Sequence, residues 1–186
     1  RLDRPTSGVL LFARDSEAAA ALCRLFEERL ARKRYLALVR GIPAARFVVD
    51  HPVPRTEGGE RVAAVSVFRT LASVERYAWV EAWPRTGRFH QLRRHLKHAG
   101  HPIIGDVNYG KSEHNKLLRA RVGLARLALH AESLRFECPF GAGPMRIEAP
   151  LPDDLRAPLE RFGFDPAALA RGDEGFDPES LLAPAV

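Results

Sequence analysis

Two neighbouring segments, "VAAVSVFRTLASV" (62–74) and "YAWVEAWP" (77–84), place the strongest constraint on the fold. Both are rich in the β-branched and aromatic residues that favour strands. Only two residues separate them, so the two strands are expected to pair as antiparallel neighbours. The sequence therefore predicts a sheet that contains antiparallel pairs.

Other strand patterns alternate with helix patterns along the chain. We expect further strands at "VLLFA" (9–13), where a short apolar run indicates a buried strand, at "KRYLALVRG" (33–41), and at "LARLALHAESLRFECP" (124–139). Residues 50–61 are rich in proline, glycine and charge and predict a loop. This arrangement predicts an α+β fold built on a mixed, largely antiparallel sheet flanked by helices and loops.

Two helices are expected between these strands. Asp15 or Ser16 can act as the N-cap of the first helix, whose apolar face would contain Leu22, Leu25, Phe26 and Leu30. The second helix lies in "TGRFHQLRRHLKHAGHP" (86–102) and ends at Gly100, since glycine commonly terminates helices.

The length of 186 residues suits one domain with a substantial core. We expect this domain to span residues 1–162. Beyond Phe162 the composition changes to proline, alanine and acidic residues. This change predicts a surface tail over 163–186, partly helical at 166–171.

The formal net charge is +6, and four of the 29 basic residues are lysine, which leaves 25 arginines. A basic surface attracts polyanions, and the planar guanidinium suits phosphates and bases. Charge alone leaves a nucleic-acid partner and a merely basic protein equally open. Cys23 and Cys138 form no CxxC motif, and two thiols without a disulfide framework favour a cytoplasmic protein. No apolar run approaches the ~20 residues of a membrane span.

Four histidines fall within twelve residues, at positions 90, 95, 98 and 101. Such a cluster could bind zinc, but it lacks an HExxH motif, a matched carboxylate and paired cysteines. The neighbouring Arg93, Arg94 and Lys97 would repel a cation. We therefore expect no metal and interpret "HQLRRHLKH" as a basic helix face, which is either merely solvated or directed at nucleic acid.

Asp3 lies between Arg1 and Arg4 in the opening "RLDRPTSG". Neighbouring cations favour the ionised carboxylate that a nucleophile or a base requires, although a surface salt-bridge cluster is the simpler interpretation. Tyr35 is more typical of a packed strand aromatic than of a catalytic residue. The residues alone leave these alternatives open.

Four segments, "RLDRPTSGVLLFA", "KRYLALVRG", "TGRFHQLRRHLKHAGHPIIGDVNYG" and "RLALHAESLRF", together resemble the RluA-type pseudouridine synthases. They occur in the order of that family and cover the chain as far as about Phe162. The resemblance implies an RNA-binding isomerase that converts a uridine to pseudouridine with an aspartate and with neither a metal nor a cofactor. A monomer without membrane association is favoured.

The resemblance also assigns roles to individual positions. Asp3 matches the catalytic aspartate, Tyr35 the active-site tyrosine that stacks on the target base and can serve in proton removal, and Arg93 the arginine that pairs with the aspartate. Arg1 matches the arginine thought to fill the space left by the flipped uridine, and Leu129 matches an apolar wall of the base pocket. The expected substrate-binding residues are Arg1, Arg4, Arg88, His90, Gln91, Arg94 and Leu129.

Phe89, the doubled Arg93-Arg94 and "GDVNYGKSEHN" are most similar to the bacterial members that act on uridine 65 of tRNA. A ribosomal RNA substrate and a catalytically silent RNA-binding module remain the alternatives. The histidine and the segment that precede the first arginine in the family are absent, so we expect the chain to begin within the domain, to expose a sheet edge and to turn over slowly. Phe89 also replaces a serine or threonine N-cap, unless Thr86 substitutes.

Overall fold

A mixed β-sheet organises residues 2–169 and 176–182, which are the residues that the computed structural model describes. The strands are β1 (Ser7–Gly8), β2 (Arg32–Arg40), β3 (Arg46–Asp50), β4 (Val53–Pro54), β5 (Arg61–Val62), β6 (Val65–Val74), β7 (Tyr77–Pro84), β8 (Leu129–Glu137) and β9 (Pro144–Glu148). The helices are α1 (Ser16–Glu27), α2 (Gln91–His98), α3 (Ser112–Val122), α4 (Asp153–Phe162) and α5 (Pro166–Leu169), followed by a 3-10 helix, Pro178–Leu181.

The main sheet has the strand order β1-β8-β2-β7-β6-β3, with β9 beside β8. The β1–β8 pair is parallel, and the other pairs of this sheet are antiparallel. The predicted α+β class with a mixed, largely antiparallel sheet is therefore confirmed.

The predicted strand pair at 62–74 and 77–84 is confirmed as the antiparallel β6–β7 hairpin. Glu75 adopts a left-handed conformation (φ 52°) at its turn. Strand β7 is buried along nearly its whole length, and β2 lies between β7 and β8. Because these strands are buried on both faces, their sequences are nearly continuous apolar runs.

The first helix begins where the sequence indicates. The Asp15 side chain accepts a hydrogen bond from Ala18 N at 2.8 Å and caps α1. Leu25 is buried, but Phe26 and Leu30 are 42% and 56% exposed. Only part of the predicted apolar face therefore packs against the sheet.

The prediction of a buried strand at 9–13 is wrong. Strand β1 ends at Gly8, and Phe12 is 82% exposed. Val9 N still donates to Ala131 O, but the chain then leaves the sheet edge. Because β8 is the only strand that β1 pairs with in the described sheet, the apolar run has no second strand to bury it.

Two other boundaries differ from the sequence prediction. Within the predicted loop 50–61, β4 and the first residue of β5 belong to a small separate sheet. Helix α2 begins at Gln91, so residues 86–90 of the predicted helix form a loop. Its end is as expected, because Gly100 has φ 84° directly after the C-cap.

No side chain caps α2 at its first residue. Instead, Gln91 Oε1 accepts from Arg88 N at 3.1 Å and from the Thr86 hydroxyl at 2.6 Å. Thr86 therefore does not cap α2, but its hydrogen bond to Gln91 helps to hold the loop before the helix in place.

The segment after residue 162 contacts the sheet in two places. Phe164 and Leu169 are buried with the main core, and the ring of Phe176 lies 4.9 Å from that of Trp83. The helical part of the predicted segment 166–171 is Pro166–Leu169, and residues 170 and 171 lie outside the described ranges. The domain boundary at residue 162 stays a prediction. None of the described helices is long and apolar enough to cross a membrane.

We predict that Phe176→Ala lowers the free energy of unfolding by about 3 kcal/mol, because it removes the aromatic partner of Trp83 and leaves a cavity. Phe12→Ala is the matched control. Its ring is 82% exposed, so the same substitution should change the free energy by less than about 0.5 kcal/mol. Urea denaturation measures both, and equal effects would contradict the packing of Phe176 on the sheet.

Candidate active site

A cleft of about 520 Å³ opens where the first loop, β2, β8 and the loop before α2 meet. Asp3, Tyr35, Arg88, His90 and Gln91 line it, together with the apolar Ala131 and Leu134. The structure thus brings five of the predicted site residues to one concave surface, although they are distant in sequence.

Arg93 joins the cleft carboxylate to a second, buried carboxylate. Its Nη1 donates to Asp3 Oδ2 at 3.2 Å, while Nε and Nη2 donate to the two carboxylate oxygens of Asp106 at 2.7 and 2.9 Å. The bidentate contact fixes the plane of the guanidinium. With its orientation fixed in this way, Arg93 presents Nη1 to the Asp3 carboxylate.

Asp106 is fully buried and is stabilised as an anion. Burial alone would raise the pKa of Asp106, but hydrogen bonds from Arg93 and from the backbone N–H groups of Tyr109 and Asn108 lower it below its ordinary value. A permanent negative charge therefore lies behind Arg93 and offsets part of the cost of burying that cation.

His90 lies on the other side of Asp3. Its Nε2 is 3.9 Å from Asp3 Oδ1, its Nδ1 is 3.1 Å from the Tyr109 hydroxyl, and its ring stacks on Phe89 at 3.8 Å. The backbone of His90 is left-handed (φ 52°), which is uncommon for a residue other than glycine. Burial lowers the pKa of His90 despite the opposing Asp3 carboxylate, which favours the neutral imidazole at pH 7. Among the described residues, Oδ1 therefore has no cationic partner.

Tyr35 forms part of the cleft wall on β2. Burial, and to a smaller extent the Asp3 carboxylate, raises the pKa of Tyr35 to about 12. The phenol is therefore protonated at neutral pH. It offers an aromatic face and a hydroxyl donor, and it is a poor resting base.

The other predicted site residues are placed differently. Arg4 is exposed and Arg94 packs over the ring of Tyr109 at 5.0 Å, and neither lines the cleft. Leu129 is buried in the main core and does not line the cleft. Arg1 lies outside the described residues.

Gln91 lines the cleft but is engaged by the protein. Its Nε2 donates to Val65 O and to Ser66 Oγ, both at 2.9 Å, and its Oε1 accepts from the loop before α2. The side chain thereby fixes the loop that carries Arg88 and His90.

The four clustered histidines do not converge on one site, although His95 and His98 both contact His51. His95 contacts Ser66 Oγ and His51 O, His98 stacks on His51 at 3.7 Å, and His101 Nδ1 contacts Arg40 O, while His90 faces Asp3. Within the part of the chain that the structure describes, no three histidine, cysteine or carboxylate side chains form a group that could hold a metal ion.

Sequence reasoning missed Asp106, Tyr109 and Lys33 as site residues. Asp106 and Tyr109 both belong to "GDVNYG", and a lone aspartate after the apolar Ile103-Ile104 was the available signal. Lys33 precedes Tyr35 by two residues, so both point to the same side of β2.

Comparison with known proteins gives one consistent result. A family model described as RNA pseudouridylate synthase matches residues 1–98. The chain is 38% identical to the tRNA pseudouridine synthase C of Vibrio cholerae over 91% of this chain and 78% of that protein, and 41% identical to that of Salmonella typhimurium over 88% and 71%. Among solved structures it is similar to human RNA pseudouridylate synthase domain containing 4, with a TM-score of 0.73, 27% identity, and coverage of 87% of this chain and 74% of that one.

We predict that Asp106→Asn lowers the free energy of unfolding at pH 7 by about 3–5 kcal/mol, because it leaves Arg93 buried beside a neutral amide. The lowered pKa of Asp106 means that the folded state keeps this group ionised to a lower pH than the unfolded chain does. Its stabilisation is therefore present above about pH 4 and is lost as the pH falls further.

The difference between parent and variant should accordingly narrow in urea denaturation below about pH 4. Asp154→Asn is the control, because this partner of Arg126 is 63% exposed and should contribute less than about 1 kcal/mol. A difference that stays constant with pH would contradict the ionised state of Asp106.

Proposed function

Since the chain belongs to the RNA pseudouridylate synthase family, we propose that it converts uridine 65 of tRNA to pseudouridine and that Asp3 is the catalytic carboxylate. The names of its relatives support tRNA as the substrate. The observation that carries the catalytic assignment is the position of Asp3 in the cleft, where Arg93 holds Oδ2 and no other described cation contacts Oδ1.

The reaction breaks the bond between uracil N1 and ribose C1′ and forms a bond from C5 to C1′. The C5 proton is lost and N1 gains a proton, so no oxidant, reductant or cosubstrate is needed. Asp3 can attack C1′, add to C6 of the ring or remove the ribose 2′ proton. Each route uses the Asp3 carboxylate, which the hydrogen bond from Arg93 Nη1 at 3.2 Å holds in position.

The target base must leave the RNA stack to reach Asp3, which costs a few kcal/mol. The cleft supplies an aromatic face from Tyr35 and apolar contacts from Ala131 and Leu134. In this proposal Leu129 supports that wall from the core side, and Arg1 fills the gap in the RNA. Because Tyr35 stays protonated at neutral pH, it stacks on the base and does not accept the C5 proton in its resting state.

Other basic residues around the cleft suit the RNA backbone. Arg88 lines the cleft directly, and Arg4 lies exposed beside Asp3. Arg94 stabilises the site from outside by packing on Phe89 and Tyr109. We further propose that the protein acts as a cytoplasmic monomer and that residues 1–162 form its catalytic domain.

We predict that Asp3→Asn abolishes the release of tritium from tRNA labelled at uracil C5, by at least about 1,000-fold, while tRNA binding is retained. The binding is retained because the amide keeps the shape of the carboxylate. Asp153→Asn is the control, since this carboxylate is 86% exposed on α4. Release by the Asp3→Asn variant at the parent rate would show that Asp3 is not the catalytic group.

We predict that the parent chain releases tritium from bulk tRNA and not from ribosomal RNA. Carbodiimide treatment followed by reverse transcription should place the new pseudouridine at uridine 65. Release from ribosomal RNA alone would assign a ribosomal substrate. Release from neither RNA, with RNA binding intact, would favour a silent RNA-binding module over the proposed synthase.

A further inference from the structure

A second cavity, of about 480 Å³, lies beside the catalytic cleft. We call it the Lys33 cavity. The described residues that line it include seven basic side chains and one acidic side chain, Asp177. Arg29, Lys33, Pro84 and Ser133 line both the cavity and the cleft, so the two spaces share a border.

Several of the lining arginines already have carboxylate partners in the protein. Arg34 pairs with Glu81 and Glu132, and Arg85 pairs with Glu179. By contrast, no described carboxylate lies within ion-pair distance of Arg29, Arg32 or Lys33. These three cations leave the cavity electropositive.

Lys33 shows this imbalance most clearly. Its Nζ donates to the Thr86 carbonyl oxygen at 3.3 Å. This oxygen carries only a partial negative charge, which does not neutralise the ammonium group. Burial, together with repulsion from Arg85, Arg29 and Arg88, lowers the pKa of Lys33 to about 8. A half-buried ammonium group among guanidinium groups is costly unless an anion accompanies it. The cavity is therefore arranged for an anion that the described residues do not provide.

The position of the cavity identifies the anion. Arg29 and Lys33 border the cleft as well as the cavity. A nucleotide chain whose target uridine occupies the cleft can extend over this border into the cavity, and each further nucleotide carries one negative charge. Arginine and lysine at such an edge would neutralise phosphates and release counterions. A small free anion would satisfy the charges but would not use the connection to the cleft.

We propose that the Lys33 cavity binds the phosphodiester backbone of the RNA strand next to the target uridine, through Arg32 and Lys33. This inference rests on the proposed function, because it takes RNA as the occupant of the cleft. It extends the expected RNA contacts to the β2 side of the site, where none of the predicted substrate-binding residues that the structure describes lies.

The test uses Lys33→Met and Arg32→Gln in the full chain, with Lys116→Met and Arg119→Gln as matched controls. Both control residues are exposed on α3, which contacts the Tyr77 end of β7, opposite the Trp83–Pro84 end that lines the cavity. Filter binding measures affinity for an unmodified tRNA transcript over a range of salt concentrations.

We expect each cavity variant to weaken tRNA binding about 3–10-fold and to reduce the slope of log K against log salt by about 0.7–0.9, as for one lost phosphate contact. The control variants should keep the parent slope. Lys33→Met should also melt at or above the parent temperature, because it removes a desolvated charge. Weaker binding therefore would not reflect misfolding.

Parent affinity and parent slope in both cavity variants would overturn the inference. Tritium release by the parent chain separates this failure from that of the proposed function. If the parent releases tritium while the cavity variants bind normally, the function stands and the cavity is not an RNA site. If the parent releases none but the variants lose a phosphate contact, the cavity binds RNA and the catalytic proposal is wrong.

Discussion

The buried guanidinium of Arg93 is the interaction on which the site depends. It lies on α2 and contacts two carboxylates that belong to different parts of the chain, Asp3 in the opening loop and Asp106 after the helix. The two-pronged contact with Asp106 fixes the orientation of Arg93, and that orientation then determines where Asp3 Oδ2 can sit. Removing either carboxylate leaves a buried charge without its full complement, so stability and chemistry are linked at this point.

Strand β2 connects the two cavities. Lys33 and Tyr35 face the cleft, whereas Arg34 is buried and pairs with Glu81 and Glu132. The pairing of β2 with β8 shifts by one residue between Arg34 and Tyr35, because Glu132 is an extra residue on β8. Such bulges re-aim side chains next to active sites. Here the bulge places the Glu132 carboxylate on Arg34 and leaves the cleft side of β2 to Tyr35 and Lys33.

The sequence predicts those parts of the fold that depend on local patterns. Strands β6 and β7, the Asp15 cap and the end of α2 at Gly100 follow from neighbouring residues alone. The exposure of the apolar residues 9–13 does not follow from their neighbours, because it depends on which distant strands pack against them. The same holds for the start of α2, which Gln91 fixes through Val65 and Ser66.

The site was predictable only in part, for a related reason. The family resemblance led to Asp3, Tyr35 and Arg93, yet the contact between Asp3 and Arg93 spans 90 residues. Asp106 and Lys33 gain their importance from charges that become neighbours only in the folded chain. No local pattern distinguishes Lys33 from an ordinary surface lysine, whereas its surroundings of Arg29, Arg85 and Arg88 do.

The two-residue strand β1 has a consequence for how the site is maintained. It carries the Asp3 loop and is attached to β8 by the pairs Ser7–His130 and Gly8–Ala131, with Val9 N as a further donor to Ala131 O. Edge segments with few backbone hydrogen bonds open at a lower free energy than the centre of a sheet. The carboxylate that we propose as catalytic can therefore be withdrawn by a local opening that leaves β2, β6 and β7 intact. A ligand that needs Asp3 in place selects the closed edge, so occupancy of the cleft and order of the Asp3 loop rise together.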